Sequence, residues 1–239
     1  MNLSPELSLL QKNEQDYHGN NQVKLALGEK VISIIIGPTA VGKSTIIQEI
    51  LNSKHDWNVA GTITTREKRD GDPSNYFTKT EGITNEKLIG LIHSGDLINY
   101  SVHPGGDIYA YSPDSFSAEY NLAPLTTPSI KIMKTAGFER AETSFIYAKP
   151  EDWELFLKDR LLDSKIDARL EEAATSLRYG LDNAKSLHII ENTRGREGLQ
   201  KSAQKIVEIT IGNTNIDKDY DISTMEESLN FIKQVRKAL

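Results

Sequence analysis

The apolar and polar positions of this chain follow two different periods. Residues 31–36 (VISIII) form a run that is apolar except for Ser33 and rich in β-branched residues, long enough for a buried strand and too short for a membrane span. Residues 44–51 instead place apolar side chains at 46, 47, 50 and 51, on one face of a helix. Because the two kinds of segment alternate, the pattern predicts an α/β fold, a three-layer arrangement with a parallel sheet flanked by helices.

The same pattern predicts the remaining elements. Strands are expected at residues 57–65, 97–102, 108–111, 122–127, 143–148 and 186–192, and helices at residues 85–95, 131–137, 151–181, 198–209 and 221–239. Residues 1–28 are polar and predict an N-terminal arm, either mobile or a short docking helix. Residues 29–210 are expected to form one principal domain, and residues 211–239 a C-terminal extension whose amphipathic helix serves packing.

The strand at residues 31–36 leads directly into GPTAVGKST, where Gly37, Gly42, Lys43 and Ser44 satisfy the phosphate-loop motif G-x-x-x-x-G-K-[ST]. Glycines let the loop take backbone angles that other residues avoid, so that successive N–H groups turn toward phosphate oxygens. The following helix presents its positive end to the same oxygens. A strand before the motif and a helix after it are the context that supports this interpretation.

Each position of the loop has an expected task with ATP. Lys43 reaches the β- and γ-phosphates as a catalytic cation, and the hydroxyl of Ser44 is the predicted Mg²⁺ ligand. The residues predicted to bind ATP along this stretch are Gly37, Thr39, Ala40, Val41, Gly42, Lys43, Ser44 and Thr45.

Composition narrows the classes of partner. A formal net charge of −6 argues against broad binding to nucleic acid, and the absence of cysteine excludes a disulfide framework and a thiolate metal site. The first residues lack the basic start and apolar core of a secretory signal. We therefore expect a soluble, cytoplasmic protein with a small-molecule partner and no membrane contact, in an oligomeric state that the sequence leaves open.

Beyond the phosphate loop, the chain carries the segments TTREKRDGD and NYF. With this spacing, the loop and the two segments resemble the guanylate kinase family of nucleoside monophosphate kinases. The resemblance extends over residues 31–209. The resemblance implies a small β-rich acceptor-binding insert at about residues 60–120 and a helical lid at about residues 151–180. It also implies that Arg160 and Arg169 are catalytic lid arginines and that Asn192 lies near the base of the ATP donor.

For the acceptor, the resemblance implies that Arg66, Arg69, Tyr76 and Tyr109 hold its phosphate, with Arg66 also catalytic. Planar guanidinium groups suit this task because each can bind two oxygens at once. Adding the positions that face the acceptor base, the predicted acceptor-binding residues are Arg66, Arg69, Tyr76, Asn99, Tyr109, Tyr111 and Thr127.

The chain departs from the family where the base is recognised. Asn99 stands in place of a glutamate, Thr127 in place of an aspartate, and Ala110-Tyr111 in place of Gly-Thr. A carboxylate that accepts hydrogen bonds from guanine N–H groups is therefore missing at both positions, and a site that has lost such partners loses its preference for guanine.

These observations predict ATP-dependent transfer of the γ-phosphoryl group to a phosphate monoester, most simply a nucleoside monophosphate. Such transfer depends on positioning and charge neutralisation more than on covalent catalysis. Alternatives from the same residues are a sugar-phosphate kinase resembling ribose bisphosphate kinases, a non-catalytic nucleotide-binding or protein-interaction module, and a simple NTPase.

Overall fold

The computed structural model describes residues 3–53, 55–68, 76–103, 105–158, 166–212 and 222–238. Two of the predicted site residues, Arg69 and Arg160, lie outside these ranges. The strands are β1 (Val31–Ile36), β2 (Trp57–Val59), β3 (Ile63–Thr64), β4 (Asn99–Val102), β5 (Ile108–Tyr111), β6 (Tyr120–Pro124), β7 (Arg140–Tyr147) and β8 (His188–Glu191). The helices are α1 (Pro5–Asn13), α2 (Asn21–Leu27), α3 (Lys43–Leu51), α4 (Asn85–Ser94), α5 (Ile130–Thr135), α6 (Pro150–Lys158), α7 (Ile166–Asp182), α8 (Arg196–Thr210) and α9 (Ile222–Ala238).

The strands form two sheets. One has the order β2-β6-β1-β7-β8, with β7 and β8 parallel, and the other is a small antiparallel sheet in the order β3-β5-β4. The predicted α/β class is therefore confirmed. All six residues of β1 are buried, and each of the five apolar side chains among them, all except that of Ser33, contributes roughly 1.5–3 kcal/mol of hydrophobic stabilisation.

Two predicted strands differ from those observed. Residues 57–65, predicted as one strand, divide into β2 and β3, which belong to different sheets. The sequence pattern did not show this division, because hydrophobic periodicity does not reveal the strand partner. The strand predicted at residues 122–127 ends at Pro124, and Thr127 begins a short 3₁₀ turn, Thr127–Ser129. The N–H of Leu125 still donates to the carbonyl of Ile35, whereas Pro128 has no N–H to donate, so strand pairing cannot continue through it.

Contacts between residues divide the chain into two compact units. The first comprises residues 1–32, 56–121 and 128–141, and the second comprises residues 33–55, 122–127 and 142–239. The first unit contains the antiparallel sheet and a cluster of buried side chains contributed by Leu7, Leu10, Ile83, Leu88, Ile92, Leu97, Tyr100, Val102, Ile108 and Ala110.

Residues 3–28 contribute to the first unit through α1, which packs against β4 at the open edge of the antiparallel sheet. The side chain of Gln11 donates to the carbonyl of Val102 across 2.8 Å, and the N–H of Val102 donates to Glu14 Oε2 across 3.0 Å. The hydroxyl of Tyr17 donates to the carbonyl of Leu97 and accepts from its N–H, at 3.1 and 3.2 Å. Side chains therefore satisfy edge groups that a further strand would otherwise pair.

The second unit contains α3, which follows the phosphate loop, and α8, which follows the last strand, β8. Helix α8 packs against α3, and α9 packs against α7. The packing of α7 is tight at Gly180, where a Cβ atom would lie 2.6 Å from Phe145 and 2.8 Å from Met225. No helix in the described part of the chain is long and apolar enough to cross a membrane.

Candidate functional site

The phosphate loop lies between β1 and α3, as its sequence predicts. Gly37 has a φ of 143° and Gly42 a φ of 88°, both in the region that favours glycine. A Cβ atom on Gly37 would lie 2.1 Å from the carbonyl oxygen of Ile146, and one on Gly42 would lie 2.4 Å from Asn192 Nδ2. Glycine is therefore required at both positions by backbone angle and by space.

Helix α3 begins directly after the loop and has no side-chain cap on its first N–H groups. Those groups, which carry the positive end of the helix dipole, are suited to bind an anion. Lys43 is the first residue of the helix, and its Nζ atom donates to the carbonyls of Gly37 and Pro38 at 2.6 and 2.7 Å. The ammonium group is thus held beside the loop that is predicted to surround the phosphates.

A cavity of about 590 Å³ opens beside this loop. Seven of the residues predicted to bind ATP contribute to its lining: Thr39, Ala40, Gly42, Lys43, Ser44, Thr45 and Asn192. The two others are close but do not line it. Gly37 is buried at the end of β1, and the side chain of Val41 is fully buried while its carbonyl accepts a hydrogen bond from Asn192 Nδ2 at 2.9 Å.

The exposed hydroxyl of Ser44 fits the predicted role of Mg²⁺ ligand. Mg²⁺ prefers hard oxygen ligands and is commonly held by one or two protein oxygens together with substrate phosphates and water. The residues that the structure describes contain no cluster of three or more histidine, aspartate or glutamate side chains able to hold a metal alone.

Helix α7 contributes two charged side chains near the phosphate loop. Desolvation raises the pKa of Glu172 above its ordinary value. The positive charge of Lys43, a hydrogen bond from the backbone N–H of Thr39 and the charge of Arg169 each lower this pKa, and desolvation is the largest of the effects. Arg169, a predicted lid residue, is partly buried on the same helix. Glu172 was not predicted as a site residue, since a glutamate in a charged helix has the pattern of an ordinary surface residue.

In the first unit, Arg66 has only 7% of its surface exposed. Its guanidinium carbon lies 5.4 Å from the ring centroid of Tyr76 and 6.0 Å from that of Tyr109, and its Nη1 donates to the carbonyl of Glu67 at 2.8 Å. The structure therefore brings together three of the four residues predicted to hold the acceptor phosphate.

Asn99 and Tyr111 are directly opposite each other on β4 and β5. Asn99 is buried, and its Oδ1 atom has no hydrogen-bond partner among the described residues. The hydroxyl of Thr62 donates to that of Tyr111 at 3.3 Å, and burial raises the pKa of Tyr111. Thr127 belongs to the second unit.

The sequence did not reveal several residues of the site. Thr193, Gly195, Leu155, Phe156 and Leu199 complete the lining of the cavity beside the loop. Thr193 and Gly195 directly follow the predicted strand end at Asn192, which is the one signal that indicated them. The others lie on helices whose apolar residues are equally compatible with ordinary packing.

The loop, the helix that follows it and the sheet flanked by helices have the arrangement of a phosphate-loop α/β fold. The chain is guanylate kinase-like in sequence and in fold, which confirms the resemblance. It is 33% identical over 73 residues to a guanylate kinase of Oceanobacillus iheyensis, a match that covers 30% of this chain and only 34% of that relative.

Two further comparisons cover more of the chain. A guanylate kinase of Corynebacterium diphtheriae is 25% identical over 190 residues, which is 75% of this chain and 93% of the relative. The crystal structure of guanylate kinase from Anaplasma phagocytophilum matches 80% of this chain and 89% of its own with a TM-score of 0.50 and 16% identity, which supports the fold alone. No family model matches the chain.

Proposed function

We propose that this chain is an ATP-dependent phosphotransferase that moves the γ-phosphoryl group of ATP to a phosphate monoester, most simply a nucleoside monophosphate. The observation that carries the proposal is the glycine-dependent loop in front of an uncapped helix, with Lys43 Nζ held beside it. Similarity in sequence to guanylate kinases supports the same reaction class.

In the proposed reaction an oxygen of the acceptor phosphate forms a bond to the γ-phosphorus, and the bond from that phosphorus to the bridging oxygen of ADP breaks. Backbone N–H groups of the loop and the ammonium of Lys43 offset the charge that develops on the transferring group and on ADP. Bound Mg²⁺, with Ser44 as its protein ligand, would supply further charge neutralisation on the phosphates. Arg169, and Arg160 in the undescribed segment, are the proposed lid arginines.

Arg66 is the proposed binding group for the acceptor phosphate. Its burial against Tyr76 and Tyr109 restricts the guanidinium, so less conformational entropy is lost when it binds two phosphate oxygens. Arg69 is proposed to act with it. A small-molecule phosphate is therefore the proposed acceptor, and the same residues would serve a nucleotide or a sugar phosphate.

The base of a nucleotide acceptor is proposed not to be guanine by preference. Asn99 offers a neutral amide and Thr127 a neutral hydroxyl, whereas the N1–H and N2–H donors of guanine bind most strongly to carboxylates. The Oδ1 of Asn99 is buried and has no hydrogen-bond partner in the described part of the chain, and it is a neutral acceptor where a glutamate would offer a charged one. The lack of a carboxylate at both positions also favours a sugar phosphate as the second candidate acceptor.

Kinetics of the Arg66→Ala variant test whether Arg66 binds the acceptor phosphate and not ATP. We expect the acceptor KM to rise or kcat to fall at least about tenfold, since a charge-assisted bidentate contact is lost, while ATP affinity changes less than twofold. Arg178→Ala, which removes an exposed arginine of α7, is the matched control. A loss confined to ATP affinity would place Arg66 on the donor side and contradict the proposal.

A further inference from the structure

Ala40 adopts an unfavourable backbone conformation in the phosphate loop. Its φ is 63°, and no other non-glycine residue in the described part of the chain has a positive φ. An L-residue in this left-handed region brings its Cβ close to the following carbonyl, so the conformation persists only where the surroundings hold it. Ala40 also lines the cavity beside the loop, which places the strained residue where the phosphates are proposed to bind.

The peptide that precedes Ala40 is held by a buried tryptophan. The indole Nε1–H of Trp153, on α6, donates to the carbonyl of Thr39 across 2.9 Å, and the Trp153 side chain is fully buried. The orientation of that carbonyl fixes the plane of the Thr39–Ala40 peptide. It therefore also fixes the direction of the Ala40 N–H, which is one of the groups available to an anion in the loop.

Trp153 is itself fixed by the C-terminal helix. The ring of Phe231 on α9 lies 6.2 Å from that of Trp153, centroid to centroid. Ser228 Oγ, also on α9, donates to the carbonyl of Ala148 at 2.9 Å, just before α6 begins. A continuous series of contacts thus runs from α9 through Trp153 to the phosphate loop.

We propose that Trp153 is a positioning residue for ATP, which holds the loop in its phosphate-binding conformation by fixing the Thr39 carbonyl and so maintaining the left-handed conformation of Ala40. This inference rests on the proposed function for its ligand. It adds to that function a role for α9, which carries no recognisable sequence motif for nucleotide binding, and a role for α6 besides its place in the predicted lid.

Trp153→Phe keeps an aromatic ring and removes the donor. Without ligand, we expect the amides of residues 40–45 to exchange with D₂O about three to ten times faster, the range expected for the loss of one neutral hydrogen bond. ATP affinity, measured by calorimetry with Mg²⁺ present, should fall by a similar factor. Trp57→Phe, the same change in the other compact unit, is the matched control and should alter neither quantity by more than twofold.

Ala40→Gly separates positioning from packing. Glycine takes a positive φ without steric cost, so the loop should no longer need the anchor. In the Ala40→Gly background, Trp153→Phe should therefore weaken ATP binding less than twofold, whereas a general packing defect would persist there. Unchanged loop exchange and ATP affinity in Trp153→Phe, or an equal loss in both backgrounds, would overturn the proposal.

Two other outcomes, a wild-type protein that binds no ATP and a Trp153→Phe variant that does not fold, still leave the role of Trp153 testable. If the wild-type protein binds no ATP, the proposed function is contradicted, and the exchange of residues 40–45 still decides the role of Trp153. If Trp153→Phe does not fold, ¹⁵N spectra of Trp57→Phe report the single indole N–H that remains. Slow exchange of that proton with D₂O and a shift on addition of MgADP support the proposal, and exchange as fast as that of an exposed indole overturns it.

Discussion

The side-chain amide of Asn192, directly after β8, donates a hydrogen bond to the carbonyl of Val41 in the phosphate loop across 2.9 Å. The same Nδ2 atom would lie 2.4 Å from a Cβ atom on Gly42, whose φ is 88°. The contact that joins the strand end to the loop therefore also prevents any larger residue at position 42.

Gly42→Ala should consequently reduce ATP affinity at least about tenfold while the protein remains folded. The added methyl group has to displace Asn192, and alanine at this backbone angle costs roughly 1–2 kcal/mol. Calorimetry with MgATP measures the loss. Gly90→Ala is the control, because a Cβ atom on Gly90 meets no atom within 4 Å. Equal ATP affinity of wild type and Gly42→Ala would show that the loop tolerates a different path and would remove its glycine requirement.

Lys43→Ala should lower kcat about 10²- to 10³-fold without unfolding the protein. Its ammonium is held at 2.6 and 2.7 Å from two loop carbonyls, and a preorganised cation is lost from the developing phosphoryl charge. Steady-state rates with saturating ATP and acceptor measure the effect, and circular dichroism establishes folding. Lys201→Ala, on the exposed side of α8, serves as control. Normal turnover by Lys43→Ala would mean that the loop is not catalytic.

Asn99→Glu combined with Thr127→Asp should increase the use of GMP relative to other nucleoside monophosphates, because it adds two carboxylate acceptors at the proposed base-recognition positions. The ratio of kcat/KM values for GMP and AMP is the quantity to compare. Asn99→Gln with Thr127→Ser is the neutral control. An unchanged ratio in the acidic variant would show that these positions do not face the base.

Tyr17 should make stability fall at high pH. Burial raises its pKa to about 12, opposed by the hydrogen bond with the Leu97 backbone, and burial also raises the pKa of Tyr100 to about 12. Because an unfolded tyrosine titrates near 10, the folded state holds more protons above that pH. The stabilisation is therefore fully present below pH 10 and is lost as pH rises toward about 12.

Urea unfolding at pH 8 to 11 measures this dependence. Tyr17→Phe should be less stable at pH 8, by about 1 kcal/mol for the lost hydrogen bonds, and its stability should decline less steeply above pH 10. Parallel curves for wild type and Tyr17→Phe would show that Tyr17 is not the titrating group. The comparison also tests whether residues 3–28 stabilise the antiparallel sheet.

The sequence was informative where the signal is local. The strand at residues 31–36, the loop glycines and the helix from Lys43 each follow from neighbouring residues, since a buried run, a required backbone angle and an amphipathic face are properties of short segments. Helix α4 is a similar case, because it ends before Gly95, whose φ of 75° makes it a favourable helix terminus.

Contacts between distant segments could not be predicted in this way. The hydrogen bonds of Trp153 to Thr39 and of Tyr17 to Leu97 join residues that lie 114 and 80 positions apart. Nothing in the periodicity of either segment indicates its partner. The division of residues 57–65 into β2 and β3 has the same cause, because sheet membership depends on which strand lies alongside.

The most direct test of the account follows the γ-phosphoryl group itself. The purified protein is incubated with Mg²⁺ and ATP labelled at the γ-phosphate, alone and with each of AMP, CMP, UMP, GMP, their deoxy forms and ribose bisphosphate. We predict label transfer to at least one phosphate acceptor at a rate well above acceptor-independent hydrolysis, with GMP not preferred. Release of the label as inorganic phosphate at the same rate with and without every acceptor, or no turnover of ATP at all, would contradict the proposed phosphotransferase.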